Sequence, residues 1–80
     1  MHYVYVIKCR DDTTYVGCTN DFDRRLIEHQ NGEVESTKNK RPIELICYTA
    51  FQNKYLAYNF EKYLKSGSGR AFLGKHFIED

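Results

Sequence analysis

Residues 3–18, with the sequence YVYVIKCRDDTTYVGC, predict a β-hairpin. The first run, Tyr3 to Ile7, is β-branched and aromatic throughout, with both faces apolar, which is typical of a central strand. A polar turn at Arg10, Asp11 and Asp12 separates it from a second β-rich run that ends at Cys18. The two runs therefore form adjacent antiparallel strands.

The register of this hairpin decides which side chains meet. Side chains alternate between the faces of a strand, and the indices of opposed residues have a constant sum. A sum of 22 sets Tyr5 against Gly17, with Tyr15 on the same side, and the glycine leaves open space beside the Tyr5 hydroxyl. A sum of 27 sets Cys9 against Cys18 and separates the tyrosines, which would favour a redox or thiol-reactive protein.

The rest of the chain alternates helix and strand. A helix follows the hairpin, capped by Thr19 or Asn20, and Asn31-Gly32 ends it. Its expected apolar stripe is Phe22, Leu26 and Ile27. A polar loop over residues 33–42, which we expect to be mobile, leads into a third strand from Ile43 to Phe51.

A second helix begins after Asn53, which can cap it. The apolar positions of this helix are Leu56, Phe60, Tyr63 and Leu64, which recur at helical spacing. Gly67-Ser68-Gly69 breaks it, and Ala71 to Ile78 forms a short closing helix. The order β-β-α-β-α-(α) predicts one α+β domain over residues 1–80, with a three-stranded, mainly antiparallel sheet flanked by two to three helices.

Composition limits the class of function. Twelve basic and eleven acidic residues give a net charge of +1, which argues against a highly basic coating protein. Basic residues still cluster locally, at 38–41 and near Arg70, and such clusters can hold a phosphate backbone. Three cysteines without a CxxC spacing favour neither a disulfide framework nor a zinc site. Without a signal-peptide leader or a membrane-spanning run, we expect a cytoplasmic protein.

Two helices carry further candidates for chemistry. Arg25 and His29 are four residues apart, so they share one face of the first helix. Arginine offers a planar fork to phosphate oxygens, and histidine titrates near neutrality. Glu61 lies at the edge of the apolar stripe of the second helix, where a hard divalent cation would compensate a buried carboxylate.

Together these residues resemble the GIY-YIG nuclease superfamily, in particular its small stand-alone bacterial members, the YhbQ-like group. The first motif is Tyr3-Val4-Tyr5, with Tyr3 in place of the glycine that names it, and the second is Tyr15-Val16-Gly17. Thr19 to His29 resembles the family's helix, in which an arginine precedes a histidine by four residues. The small group is also similar in its later part, where Arg41-Pro42-Ile43 leads into the third strand. Its metal-binding helix is matched by Ala57, Glu61 and Lys65. Many superfamily members carry an asparagine beyond the glutamate, and none follows Glu61 here.

The resemblance implies the GIY-YIG endonuclease fold and a metal-dependent DNA endonuclease, acting in DNA repair or processing. Glu61 would hold one Mg²⁺ or Mn²⁺ ion, and Arg25 would stabilise charge on the phosphoryl group. Tyr5 would take the proton of the attacking water and pass its own to His29, with Tyr15 positioning Tyr5 or the water. Gly17 is expected to be structural within the site.

The expected substrate is single-stranded, flapped or branched DNA, with RNA not excluded, because one small domain has little surface for reading a long sequence. The residues expected to contact its backbone are Lys38, Lys40, Arg41 and Arg70. Cutting both strands of a duplex with one active site would favour a homodimer or sequential nicking, and a recruiting protein partner is a further expectation. The alternative function is a non-catalytic nucleic-acid-binding module of the same fold.

Overall fold

The computed structural model describes residues 1–77 and has the predicted α+β architecture. Its strands are β1 (His2–Lys8), β2 (Thr14–Thr19) and β3 (Glu44–Phe51). Its helices are α1 (Phe22–Gln30), α2 (Lys54–Lys65) and α3 (Gly67–His76), and a short 3₁₀ turn spans Lys38–Lys40. No helix within residues 1–77 has the length and apolar character needed to cross a membrane.

The three strands form one antiparallel sheet in the order β2-β1-β3, so the first strand is central, as its composition predicts. Tyr5 lies opposite Gly17 and Val4 lies opposite Cys18, which confirms the register with a sum of 22. The alternative pairing of Cys9 with Cys18 is therefore wrong, and the geometry for a thiol pair is lost. Burial also raises the pKa of the Cys18 and Cys47 thiols, which disfavours the reactive thiolates.

The hydrophobic core lies on one face of this sheet. Val4, Val6 and Val16 pack there against α2 and α3, through Ala57, Leu64 and Leu73. Because side chains alternate, Tyr5 and Gly17 belong to the opposite face, which α1 adjoins. The sheet thus separates an apolar face from a face rich in tyrosine.

The predicted apolar stripes of the helices are partly wrong. Leu56 and Tyr63 are exposed on α2, whereas Ala57 and Leu64, seven residues apart, are buried. The sheet covers a strip of α2 too narrow to include the flanking positions. On α1, Ile27 is exposed and the only buried residue is His29.

Local hydrogen bonds fix where each helix begins. Asp21, rather than Thr19 or Asn20, caps α1, because its carboxylate accepts from the Arg24 amide at 3.3 Å. Asn53 caps α2 as predicted, accepting from the Tyr55 amide at 2.8 Å. Ser66 separates α2 from α3 and accepts from the Gly69 amide at 3.2 Å.

The segment Gly67-Ser68-Gly69, predicted to break the second helix, directly follows the end of that helix at Lys65 and its C-cap Ser66, but it also forms the first turn of α3, which begins four residues before the predicted start at Ala71. Gly69 is buried where α3 meets α2, and a side chain there would collide with the backbone at Tyr63 and Leu64. Glycine therefore allows the two helices to approach closely. The predicted end at Ile78 lies outside the described residues.

The polar loop after α1 is anchored at several points, contrary to the expectation of mobility. Val34 and Thr37 are buried within it. The Arg10 amide donates to the Lys40 carbonyl at 2.9 Å, which ties the loop to the turn of the hairpin. The loop therefore holds Thr37 at a defined place in the fold.

Candidate active site

A chain of three buried polar side chains crosses the tyrosine face of the sheet. The Tyr5 hydroxyl, from β1, is hydrogen-bonded to Nε2 of His29, from the last turn of α1, at 2.8 Å. Nδ1 of the same ring is hydrogen-bonded to the Thr37 hydroxyl at 2.8 Å. Since the three residues are at most 1% exposed, both ring nitrogens are partnered away from solvent.

Burial sets the protonation states in this chain. It raises the pKa of Tyr5 to about 12, although the neighbouring Arg25 guanidinium acts in the opposite direction. Burial lowers the pKa of His29, and the charge of Arg25 lowers it further. Near neutral pH the pair is therefore a neutral phenol beside a neutral imidazole.

Gly17 and Tyr15 complete the surroundings of Tyr5. The Tyr5 ring fills the space that a side chain at position 17 would need, so only glycine fits beside it. The Tyr15 ring packs edge-on against the His29 ring, with centroids 5.0 Å apart, and its centroid is 6.2 Å from that of Tyr5. The structure thus brings Tyr5, Tyr15 and His29 together, and these three residues are called the tyrosine group.

Arg25 joins this group to a polar pocket at the edge strand β2. Its guanidinium is half-buried and donates to Glu28 Oε1 at 3.1 Å. The pocket, of about 360 Å³, opens between the end of β2, α1 and α2, and its lining comprises His2, Cys18, Thr19, Asn20, Arg24, Arg25, Glu28 and Tyr58. The Arg25 guanidinium therefore lies between the buried tyrosine and a solvent-filled pocket.

Glu61 lies on the α2 side of the same edge strand. Its side chain is 24% exposed and accepts from the Lys65 ammonium at 3.2 Å. The pKa of Cys18, a residue that lines the pocket, is raised mainly by the burial of its thiol and further by the negative charge of Glu61. Tyr58, three residues earlier on α2, lines the pocket, whereas Glu61 does not.

The donor set for a metal ion is small. Among residues 1–77, no three histidine, cysteine, aspartate or glutamate side chains cluster as a metal site. Glu61 is a half-buried carboxylate with a single ammonium partner, which leaves oxygen lone pairs free. One carboxylate is enough for a hard divalent cation that takes its other ligands from water and substrate oxygens.

The four basic residues expected to contact substrate occupy different places. Lys38 pairs with Glu35 at 3.0 Å, and Lys40 lies 3.8 Å from Asp11. The Arg41 guanidinium packs over Gly32, whose φ is +78°, and donates to the carbonyls of Lys38 and Gln30.

Arg70, by contrast, lines a groove of about 700 Å³ that also includes Tyr15 and Lys65. Arg70 therefore lines the same groove as Tyr15. Arg41 instead holds the loop in place through its hydrogen bonds to the Lys38 and Gln30 carbonyls.

Sequence reasoning missed two polar residues of this region. Thr37 supplies the second partner of His29, and Glu28 holds Arg25. Thr37 lies in a polar loop without periodicity, so nothing in the sequence marks its hydroxyl as buried. The spacing of Arg25 and Glu28, three residues apart on one helix, is a signal that could have identified the pair.

Comparisons with known proteins agree with the fold. The GIY-YIG catalytic domain family matches residues 1–73. The UPF0213 protein CPE1444 of Clostridium perfringens is 38% identical over 66 residues, covering 81% of this chain and 71% of that protein. The UPF0213 protein YazA of Bacillus subtilis is 42% identical over 65 residues, covering 80% and 66% of the two chains.

A solved structure is similar as well. The solution NMR structure of the UPF0213 protein BH0048 from Bacillus halodurans superposes with a TM-score of 0.59 at 35% identity, covering 90% of this chain and 80% of that one. The family match extends over all the residues that build the tyrosine group and over Glu61 on α2. The chain therefore belongs to the GIY-YIG catalytic domain family.

Proposed function

We propose that this protein is a metal-dependent endonuclease that hydrolyses phosphodiester bonds of DNA. Membership of the GIY-YIG family supports nuclease-type chemistry. The observation that carries the proposal is the buried hydrogen bond between Tyr5 and His29, with Arg25 beside it. A phenol, an imidazole and a fixed cation are the groups that removal of a proton next to a phosphate requires.

The proton path follows from the hydrogen-bonded chain. As a water attacks the phosphorus, its proton passes to the Tyr5 oxygen while the Tyr5 proton moves to Nε2 of His29. Because the pKa of Tyr5 is raised to about 12, a free phenolate would be scarce at neutral pH, and this coupled transfer avoids it. The proposed path uses the tautomer in which Nδ1–H donates to the Thr37 hydroxyl, 2.8 Å away, so that Nε2 is the nitrogen that receives the proton.

Arg25 and Tyr15 act on the substrate side of this chain. The Arg25 guanidinium, which extends from the tyrosine group to the pocket, stabilises the charge that develops on the phosphoryl oxygens. Tyr15 positions Tyr5 or the attacking water. Since Tyr5 is only 1% exposed, the proposed mechanism requires the partly exposed side chains of Tyr15 and Arg25 to shift when the substrate binds, so that the attacking water can reach the Tyr5 hydroxyl.

Glu61 is the residue that would hold a divalent metal ion, Mg²⁺ or Mn²⁺. When bound, the ion supplies Lewis-acid stabilisation of the phosphate and of the leaving oxygen. Lys65, which now neutralises the Glu61 carboxylate, would release it on metal binding.

DNA in a single-stranded, flapped or branched form is the proposed substrate, with RNA as a second possibility, in DNA repair or processing in the cytoplasm. Arg70 lies beside Tyr15 in the groove along β2, so it is well placed to contact the strand. Lys38 and Lys40, next to Thr37 in sequence, would contact the backbone farther from the scissile bond. Cutting both strands of a duplex with one active site would favour a homodimer or sequential nicking, with a recruiting protein partner as a further part of the proposal.

The test is a cleavage assay on end-labelled single-stranded, duplex, flapped and branched DNA with Mg²⁺, Mn²⁺ or EDTA. We expect metal-dependent cutting that is lost in Tyr5→Phe and in Glu61→Ala. Matched controls are Tyr55→Phe and Glu33→Ala, which alter an exposed tyrosine and an exposed glutamate away from the site. Undiminished cleavage by Glu61→Ala would contradict the proposal.

A further inference from the structure

Three aromatic rings form a continuous patch on the tyrosine face of the sheet. The aromatic patch consists of Tyr3, Phe22 and Tyr48. Tyr3 stacks on Phe22 with centroids 5.5 Å apart and an interplanar angle of 21°, and Phe22 lies 4.9 Å from Tyr48. Tyr3 and Tyr48 are 6.3 Å apart. The Tyr48 side chain is 55% exposed, so one ring of a packed group faces solvent.

The hydrophobic core does not need this exposed ring. The core lies on the other face of the sheet, where Val4 and Val6 pack against α2 and α3. Tyr48 is nevertheless backed by two further rings, which restrict its motion. A rigid aromatic surface loses little conformational entropy when a flat ligand stacks on it.

The aromatic patch is continuous with the proposed active site. Tyr48 lies directly opposite Tyr5 in the β1–β3 pairing, and the Phe22 ring is 5.9 Å from the Tyr5 ring. Arg25 follows Phe22 by three residues on α1, so it lies on the same side of the helix, roughly 4.5 Å farther along the axis. A flat apolar surface and a cation suited to phosphate are therefore adjacent.

We propose that the aromatic patch stacks an unpaired nucleobase of the strand whose phosphate is held at Arg25. This inference rests on the proposed nuclease function and deepens it, because it assigns a subsite for a single-stranded segment. Stacking on aromatic side chains is the usual way in which proteins hold unpaired bases, and it tolerates any base because each has a π-face. A base in a duplex has both faces covered, so the subsite favours single-stranded or frayed substrates.

A nucleobase suits this surface better than a second copy of the chain. A stable protein interface buries about 800 Å² on each partner, whereas a whole aromatic side chain buries roughly 150–250 Å². Arg25, whose half-buried guanidinium now pairs with Glu28, is the cation beside the patch that would meet the phosphate of the same nucleotide. The patch is therefore suited to a ligand as small as one base, and the cation beside it is suited to the phosphate of the same nucleotide.

The test compares DNA binding by three variants in EDTA, so that cleavage plays no part. Tyr48→Ala removes the exposed ring, Tyr48→Phe keeps it, and Tyr55→Ala removes a tyrosine that is 65% exposed on α2. The probes are a short single-stranded oligonucleotide, a duplex of the same sequence, and a single strand whose bases are replaced by abasic residues. Far-UV circular dichroism and sedimentation velocity monitor fold and oligomeric state.

We expect Tyr48→Ala to weaken binding of the single strand by about 5- to 150-fold, with Tyr48→Phe and Tyr55→Ala close to wild type. The abasic strand should bind wild type and Tyr48→Ala equally. Unchanged binding by Tyr48→Ala, an equal loss on the duplex, or a change in oligomeric state would each overturn the stacking subsite. A wild-type protein that binds through Tyr48 but never cleaves would instead contradict only the nuclease proposal.

Discussion

Replacing Thr37 by valine isolates the second hydrogen bond of His29. Valine is also β-branched and of similar size, so the packing of the buried side chain is kept and only the hydroxyl is lost. Nδ1 of a fully buried His29 then has no partner, because the threonine hydroxyl is the group bonded to it. An unsatisfied buried polar group costs about 1–3 kcal/mol.

We expect this loss to appear both in stability and in activity. For a domain of this size, each kcal/mol shifts the melting temperature by about 4–8 °C, so Thr37→Val should melt at least about 4 °C below wild type. Urea denaturation followed by circular dichroism gives the free energy of unfolding. Because the imidazole is no longer held with Nε2 toward Tyr5, DNA cleavage should fall by more than the unfolded fraction explains.

Thr37→Ser is the matched control, since it keeps the hydroxyl and removes a methyl group. It should retain the hydrogen bond, and most of the activity with it. A Thr37→Val protein whose unfolding free energy lies within about 0.5 kcal/mol of wild type, or a Thr37→Ser protein that is equally impaired in cleavage, would refute the positioning role of this hydroxyl.

Three further predictions follow from the same contacts. Gly17→Ala should destabilise the fold by about 1–3 kcal/mol in thermal unfolding, because its methyl group would collide with the Tyr5 ring; wild-type stability would show that the ring can move aside. Glu61→Gln should abolish the protection against thermal unfolding that Mg²⁺ or Mn²⁺ gives wild type, and retained protection would place the ion elsewhere. Stability should be highest between pH 6.5 and 10. The lowered pKa of His29 makes the free energy of unfolding fall as pH drops below 6.5, and the raised pKa of Tyr5 makes it fall as pH rises from 10 toward 12. In pH-dependent urea denaturation, His29→Gln should flatten the acid limb and Tyr5→Phe the alkaline limb.

The sequence predicted those features that depend on local pattern. Alternation and β-branching in residues 3–18 predicted the hairpin, but its register stayed open between sums of 22 and 27, and the structure selects the register in which Tyr5 lies opposite Gly17. The cap at Asn53 follows from its short side chain next to an apolar helical run. These features are set by residues close to one another in the chain or by a single strand pairing.

Features set by tertiary packing could not be predicted from the sequence. His29 reads as a polar residue on an amphipathic helix, yet it is buried, because two hydrogen bonds from distant segments satisfy both its nitrogens. Leu56 reads as core, yet it is exposed, because the sheet covers a different strip of α2. In each example the burial of the side chain depends on which surface the helix packs against, and helical periodicity alone does not specify that surface.

The division of the sheet into two faces has a consequence for interpreting variants of the site. The α2 and α3 helices are fixed by the apolar core, whereas α1 buries only His29, and this residue is held by polar contacts with Tyr5 and Thr37. The hydrogen bonds proposed to move protons therefore also help to attach α1 to the sheet, together with the Phe22 ring, which stacks on Tyr3. Substituting His29 must perturb both stability and the placement of Arg25, which extends from the same helix. Tyr5→Phe is the cleaner probe of chemistry, because its ring still packs against His29 at a centroid distance of 5.5 Å while the hydroxyl alone is removed.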